Sequence, residues 1–342
     1  MDDNVKNQFK EARKLYDLKK YEESLNLYEQ LYNENIDDFD LNSKISYCWS
    51  IYQVNVKNFT DIDELYDSVE FICELIPQAD LNMVNTCPYT FSVFKVLDVL
   101  YKQEEYYNIF DWLDLINPYI LDEKRNKSNG RTFRSRKEKY YDYASKSFLE
   151  CADWDLCIEF SKEALNTLKT FTNNGDTWYR WRIAKALKEL NQNYEALNYL
   201  TEVLEVKEEW FVFKEIIENY FILNENEKAL EYVPGAILTN GSIKMKVNLY
   251  YLIYNLLKDL DYEMALKHAQ LYYLIKLENN SEVSNDIENL NFNENELNRE
   301  ELIKEINKYW YDFRLNLKFK QNRVVKYFKN DESLKTVSIR GE

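Results

Sequence analysis

The chain has 342 residues, 45% hydrophobic and 30% charged, with a formal net charge of −16. Such a chain can bury a large core, and its acidity excludes a protein whose whole surface coats nucleic acid or an anionic membrane. Five glycines and four prolines are too few for the turns of a hairpin-rich fold, which excludes a β-rich architecture.

Tyrosine is abundant at 29 copies, beside 18 Phe and 7 Trp, the composition of a chain whose helices pack through aromatic side chains. No run of about 18 apolar residues marks a membrane span, and the opening MDDNVKNQFKEARK lacks the apolar stretch of a signal peptide. The five cysteines (Cys48, Cys73, Cys87, Cys151, Cys157) are odd in number and lie within helical patterns. They read as reduced core thiols of a cytoplasmic protein.

Apolar residues at i, i+3, i+4 and i+7 run through almost the whole chain and predict helices. In chain order, helix pairs are expected at 5–36, 138–170, 177–207, 210–239 and 246–277. Residues 40–121 hold more irregular pairs such as DELYDSVEFICELIP and YYNIFDWLDLINP. A basic loop, DEKRNKSNGRTFRSR, occupies 122–136. Residues 278–299 are acidic and asparagine-rich and read as a mobile linker. From about residue 300 a helix, EELIKEINKYWYDFRLNL, resumes before a basic tail.

The regular pairs repeat at a spacing near 34 residues. Small residues recur early in the second helix of each pair: Ser24, Cys157, Ala196, Ala229 and Ala265, the last four at intervals of 39, 33 and 36 residues. Twelve residues before each stands its partner across the hairpin: Ala12, Ser145, Ala184, Ile217 and Ile253. Large residues follow three positions later (Leu15, Phe148, Leu187, Tyr220, Leu256), and aromatics (Tyr21, Trp154, Tyr262) precede the second helix. Two antiparallel helices approach closely only where small side chains meet, and large ones then fill the flanks. The pattern, as in KKYEESLNLYEQLY and LDYEMALKHAQLYY, resembles the tetratricopeptide repeat over about residues 5–277. That resemblance implies an all-α, superhelical solenoid of antiparallel helix pairs, with 40–121 as divergent repeats, and a binding rather than catalytic role.

In such a stack the first helix of each pair lines a concave surface. Inward positions fall at Phe9 and Arg13; Lys139, Asp142 and Lys146; Trp178, Trp181 and Lys185; Phe211, Lys214 and Glu218; Tyr250 and Tyr254. A groove with aromatics, five basic and two acidic residues suits a peptide or helix carrying acidic and apolar side chains, or the stacked bases of a single strand. Trp178 and Trp181, in WYRWR, share one face and also fit plain packing on a neighbouring repeat. Arg180 and Arg182 point away from that face, to solvent.

Eight basic residues and one acidic residue lie between Lys124 and Lys139. Of these, Lys124, Arg125, Arg131, Arg134, Arg136 and Lys137 are candidates to contact an anion or nucleic acid; a solvated loop balancing the acidic remainder is the other reading. Catalytic signals are missing. The one histidine, His268, sits in an apolar helical pattern and reads as a hydrogen-bonded core residue. No Gly-rich phosphate loop, G-x-S-x-G or H-E-x-x-H occurs, no metal-ligand spacing is present, and no cofactor is expected. The chain is read as not an enzyme.

The tail from Arg314 to Arg340 carries eight basic and two acidic residues. Within it RVVKYFKND resembles the opening strand of cold-shock or S1-like barrels. WFVFKEIIENYFILNENEKALEY is similar to repeats of tetratricopeptide components of TOTE-type bacterial conflict systems. Three functions follow: a scaffold or adaptor that binds a protein or peptide in its groove within an intracellular bacterial assembly, a nucleic-acid-associated accessory factor of an anti-phage system, or a peptide-sensing regulator. No membrane partner is expected, and the sequence leaves the oligomeric state open.

Overall fold

The computed structural model describes residues 3–34, 36–78, 86–125, 127–128 and 130–317. The basic tail beyond 317, including the barrel-like RVVKYFKND, lies outside the described residues. The chain divides into two compact units, Met1–Ala186 and Leu187–Glu342. Among the described residues the fold is all-α, apart from one two-stranded hairpin.

The first unit opens with the pair α1 (Asp3–Asp17) and α2 (Tyr21–Glu34). There the small-residue rule is visible directly: Ala12 and Ser24 are fully buried, and the Ser24 hydroxyl donates to the Ala12 carbonyl at 2.8 Å. Next come α3 (Leu41–Ile51), continued by a wider π-helical turn at Tyr52–Val56, then α4 (Ile62–Leu75), α5 (Pro88–Gln103) and the short α6 (Ile109–Asp114). Caps set several of these starts. Asp40 accepts from the Ser43 N–H at 2.7 Å, and Asp61 from the N–H groups of Asp63 and Glu64. The basic stretch at 122–136 forms a small hairpin, β1 (Lys127–Ser128) antiparallel to β2 (Arg131–Thr132), turning at Gly130 with φ 73°. A Ser135 cap, accepting from the Glu138 N–H at 3.1 Å, then starts α7 (Arg136–Glu150), which packs on α8 (Trp154–Thr167). Helix α9 (Asp176–Glu189) carries WYRWR and spans the division between the units.

The second unit holds α10 (Asn193–Val206), then the pairs α11 (Trp210–Ile222) with α12 (Asn226–Leu238) and α13 (Val247–Leu257) with α14 (Tyr262–Glu278). The repeat also shows in the turns. Lys19, Ala152, Asn191 and Asn224 all sit in the left-handed region, with φ between 58° and 62°. In each case the next residue donates its N–H back to Leu15, Phe148, Leu187 or Tyr220, closing the helix with a Schellman-type bond. With so few glycines, asparagine, lysine and alanine take this position. The α13–α14 turn differs, since Asp261 N–H bonds to the Leu257 carbonyl and no residue there has positive φ.

Residues 278–299 are not the mobile linker their composition suggested. Val283, Ile287, Leu290 and Phe292 pack against the second core, with Ile287 fully buried. Tyr272 bonds Ser284 at 2.7 Å, and the Tyr251 hydroxyl donates to Asp286 at 3.2 Å. Four apolar side chains outweigh the polar majority once α13 and α14 give them a surface. Residues 299–317 are helical. Their apolar face (Leu302, Ile306, Trp310) is buried, and Tyr309 donates to Asp261 at 3.0 Å.

Candidate functional site

The expected groove positions separate into three groups. Phe9, Tyr250 and Tyr254 are core residues, which corrects their assignment to a partner-facing surface. Phe9 packs edge-on to Phe39 at 4.8 Å, and Tyr250 lies 6.2 Å from the His268 ring. At the ends of a helix row, neighbouring segments cover the face that an interior repeat leaves open.

A second group is spent on internal ion pairs. Asp142 is 3% exposed and binds Arg182 at 2.7 Å as well as Arg134, while the Tyr101 hydroxyl donates to it at 3.3 Å. Burial opposes the charge on Asp142. Arg182 and Arg134, with the hydrogen bonds from Arg182 and Tyr101, outweigh it and hold the carboxyl below its ordinary value. Arg182 is therefore not solvated, as its place on the helix suggested; it is 7% exposed and also donates to Ser145 at 3.0 Å. In the second unit Glu218 pairs with Lys188 at 2.9 Å and with Lys214, and these lysines outweigh burial to keep its carboxyl below the usual range. Lys139 binds Asp98 at 2.9 Å, and Arg13 donates to Ser46 at 3.0 Å. Phe211 is half-buried beside Trp210, at 6.1 Å.

The third group forms a recess of about 320 Å³ in the first unit. Helix α7 contributes Lys146, Leu149 and Glu150, and α9 contributes Trp178, Trp181 and Lys185. Both tryptophans are half-buried. Tyr101 and the Asp142–Arg182–Arg134 cluster also line it. Lys146 lies 4.9 and 5.0 Å over the rings of Tyr101 and Tyr106. Neither Lys146 nor Lys185 has a carboxylate partner among the described residues. Sequence reasoning did not name Tyr101 and placed Arg134 only among the anion-contact candidates of the basic stretch, because it applied the inward offset only to regular repeats.

A second cavity, about 600 Å³, lies between α5 and the basic stretch. Helix α5 presents Phe91, Phe94, Lys95 and Asp98 at i, i+3, i+4 and i+7, a one-face spacing legible in YTFSVFKVLD. Lys124, Phe133, Arg134, Arg136 and Lys139 face them. Arg136 lies 4.0 Å over the Phe91 ring. The other loop candidates are elsewhere: Arg125 turns to the buried Glu138 at 3.7 Å, Arg131 is exposed on the hairpin, and Lys137 is half-buried outside the cavity lining.

The remaining chemistry is structural. His268 is fully buried between Met264 and Trp310. The five cysteines are free thiols, and burial pushes Cys73 and Cys157 up to about 12. Lys246, 3% exposed, donates to the carbonyls of Ile237 and Thr239 at the end of α12, and burial lowers its pKa to about 8. Among the described residues no group of three or more His, Cys, Asp or Glu is arranged to hold a metal ion. No helix there is long and apolar enough to cross a membrane.

No family model and no curated protein matches the chain. Among solved structures it is similar to the apo form of RapI, at 15% identity over 97% of this chain and 94% of that one, TM-score 0.49. It is also similar to a Rap protein complexed with Competence and Sporulation Factor (11% identity, 81% and 78% covered, TM-score 0.40). A third is the TPR2AB-domain:pHSP90 complex of yeast Sti1 (14%, 80% and 98% covered, TM-score 0.27). The antiparallel helix pairs described above are those that the tetratricopeptide-like repeat spacing predicts; the resemblance to TOTE-type components finds no support in these comparisons.

Proposed function

We propose that the chain is a non-catalytic scaffold that binds a segment of a protein or peptide partner in the recess between α7 and α9. The observation that carries this is the pairing of Lys146 and Lys185, without carboxylate partners among the described residues, with the half-buried Trp178 and Trp181. In a chain of net charge −16, the nearby cations Arg134, Arg182 and Lys139 are committed to acids. Two open lysines beside two indoles suit a segment with an acidic side chain next to a large apolar one.

The test is selection from a display library of random peptides with the full chain as bait. Enrichment of acidic residues beside Leu, Phe or Trp is expected, and it is lost with Lys146→Glu/Lys185→Glu. No enrichment, or the same enrichment with the variant, refutes the proposal.

A further inference from the structure

The recess between α7 and α9 carries more positive charge than a single carboxylate can answer. Among the described residues its lining holds four cations, Arg134, Lys146, Arg182 and Lys185, against two carboxylates, Asp142 and Glu150. Both arginines share Asp142, so that cluster keeps one positive charge in excess. Arg182 is enclosed, whereas the Arg134 side chain is 36% exposed and gives Asp142 a single N–H of its guanidinium. Lys146 and Lys185 are half-buried, and neither pairs with the exposed Glu150 or with any other carboxylate among the described residues. The Lys146 ammonium lies over the rings of Tyr101 and Tyr106, whose faces answer a cation only in part.

These cations come from three separate elements: Arg134 from the basic stretch, Lys146 from α7, and Arg182 and Lys185 from α9. Groups converging from different elements suit a tetrahedral anion with three free oxygens better than a planar carboxylate with two. The charge points the same way. An Asp or Glu side chain brings one negative charge and leaves the lining positive. A phosphate monoester brings about −1.5 to −2 at pH 7, which matches an excess of two cations over carboxylates. We propose, resting on the partner-binding reading above, that the acidic group this recess takes is a phosphorylated side chain of the partner. Its phosphate lies toward Lys146, Lys185 and Arg134, and the neighbouring apolar residue lies against Trp178 and Trp181. The scaffold then distinguishes the phosphorylated form of its partner from the unmodified one. A nucleic-acid strand offers one charge per phosphate, and its further phosphates would meet a chain of net charge −16.

The test uses the immobilised full chain and peptide pools with identical randomised flanks around a central phosphoserine, phosphotyrosine, glutamate or serine. At least one phosphorylated pool should be retained about tenfold better than the glutamate pool, with the serine pool retained least. The two phosphorylated arms tell whether the ring of a phosphotyrosine is read as well. Lys146→Gln/Lys185→Gln removes both charges without adding a repulsion, and thermal unfolding checks that the variant is folded. It should bring the phosphorylated and glutamate pools to within about twofold of each other. If the double variant does not fold, Lys185→Gln alone should lower the preference about threefold. Equal retention of the phosphorylated and glutamate pools by the natural chain overturns the phosphate proposal and leaves the acidic-peptide reading standing. Retention of no pool overturns both. A folded variant that keeps the full preference overturns the proposal, as does a single-stranded oligonucleotide that displaces the phosphorylated pool more readily than free phosphopeptide does.

Discussion

Lowering the pH from 7 to 5 should destabilise the second unit through His268. The ring is fully buried. A carbonyl can only accept, so the 2.8 Å contact with the Met264 oxygen puts the proton on Nδ1. Nε2 is then the acceptor for the Trp310 indole N–H at 3.0 Å. Protonating Nε2 would set a donor against a donor. Burial, partly offset by the Met264 bond and by Asp261, lowers the histidine pKa to about 4, against about 6.5 in an unfolded chain. A depressed folded pKa means the unfolded chain takes up the proton first. The stability is therefore complete above about 6.5, falls as the pH drops toward about 4, and levels off below that. Integrating between those values gives a loss of about 2 kcal/mol on going from pH 7 to pH 5. The assay is urea unfolding at constant ionic strength across this range, for the natural chain and for His268→Gln, whose amide can keep both hydrogen bonds without titrating. The natural chain should lose about 2 kcal/mol more than the variant. Parallel pH profiles would refute the assignment of a neutral, buried His268.

Asp142→Asn leaves Arg182 buried without its anion, and a loss of about 3–5 kcal/mol is expected in denaturant unfolding; a change below about 1 kcal/mol would show that Arg182 finds another partner. Ala152→Gly relieves a left-handed alanine (φ 61°) and should raise stability by about 0.5–1 kcal/mol, checked by the urea midpoint. Gly235→Ala should cost about 1–3 kcal/mol, because the new methyl would fall 2.4 Å from the Phe213 ring packed across α12; thermal unfolding of the variant checks it.

The helix-pair architecture was legible because it is written in local spacing. Ala12 opposite Ser24 and Ile253 opposite Ala265 are small or apolar residues 12 apart, and each pair is fully buried. The turns were only partly legible: Asn191 and Asn224 suit a left-handed position, whereas Lys19 and Ala152 give no sign of one. The charged residues of the first helices were the hardest to place. Asp142 and Arg182 lie 40 positions apart, and nothing in either segment tells that they meet in the interior. Covering by later segments is equally non-local. Phe9 is closed over by Phe39, and His268 by Trp310 from the helix at 299–317. The indoles of WYRWR remain where both sequence readings allowed them, half-buried on the wall of a recess.

The central claim is that this recess holds a protein partner. Its most direct test is a pulldown from native extract, with and without nuclease, comparing the natural chain with a folded Trp178→Ala/Trp181→Ala/Lys185→Ala variant. A protein partner that survives nuclease and is lost with the variant is the predicted result. A variant that keeps every partner would make the two tryptophans scaffold and contradict the account.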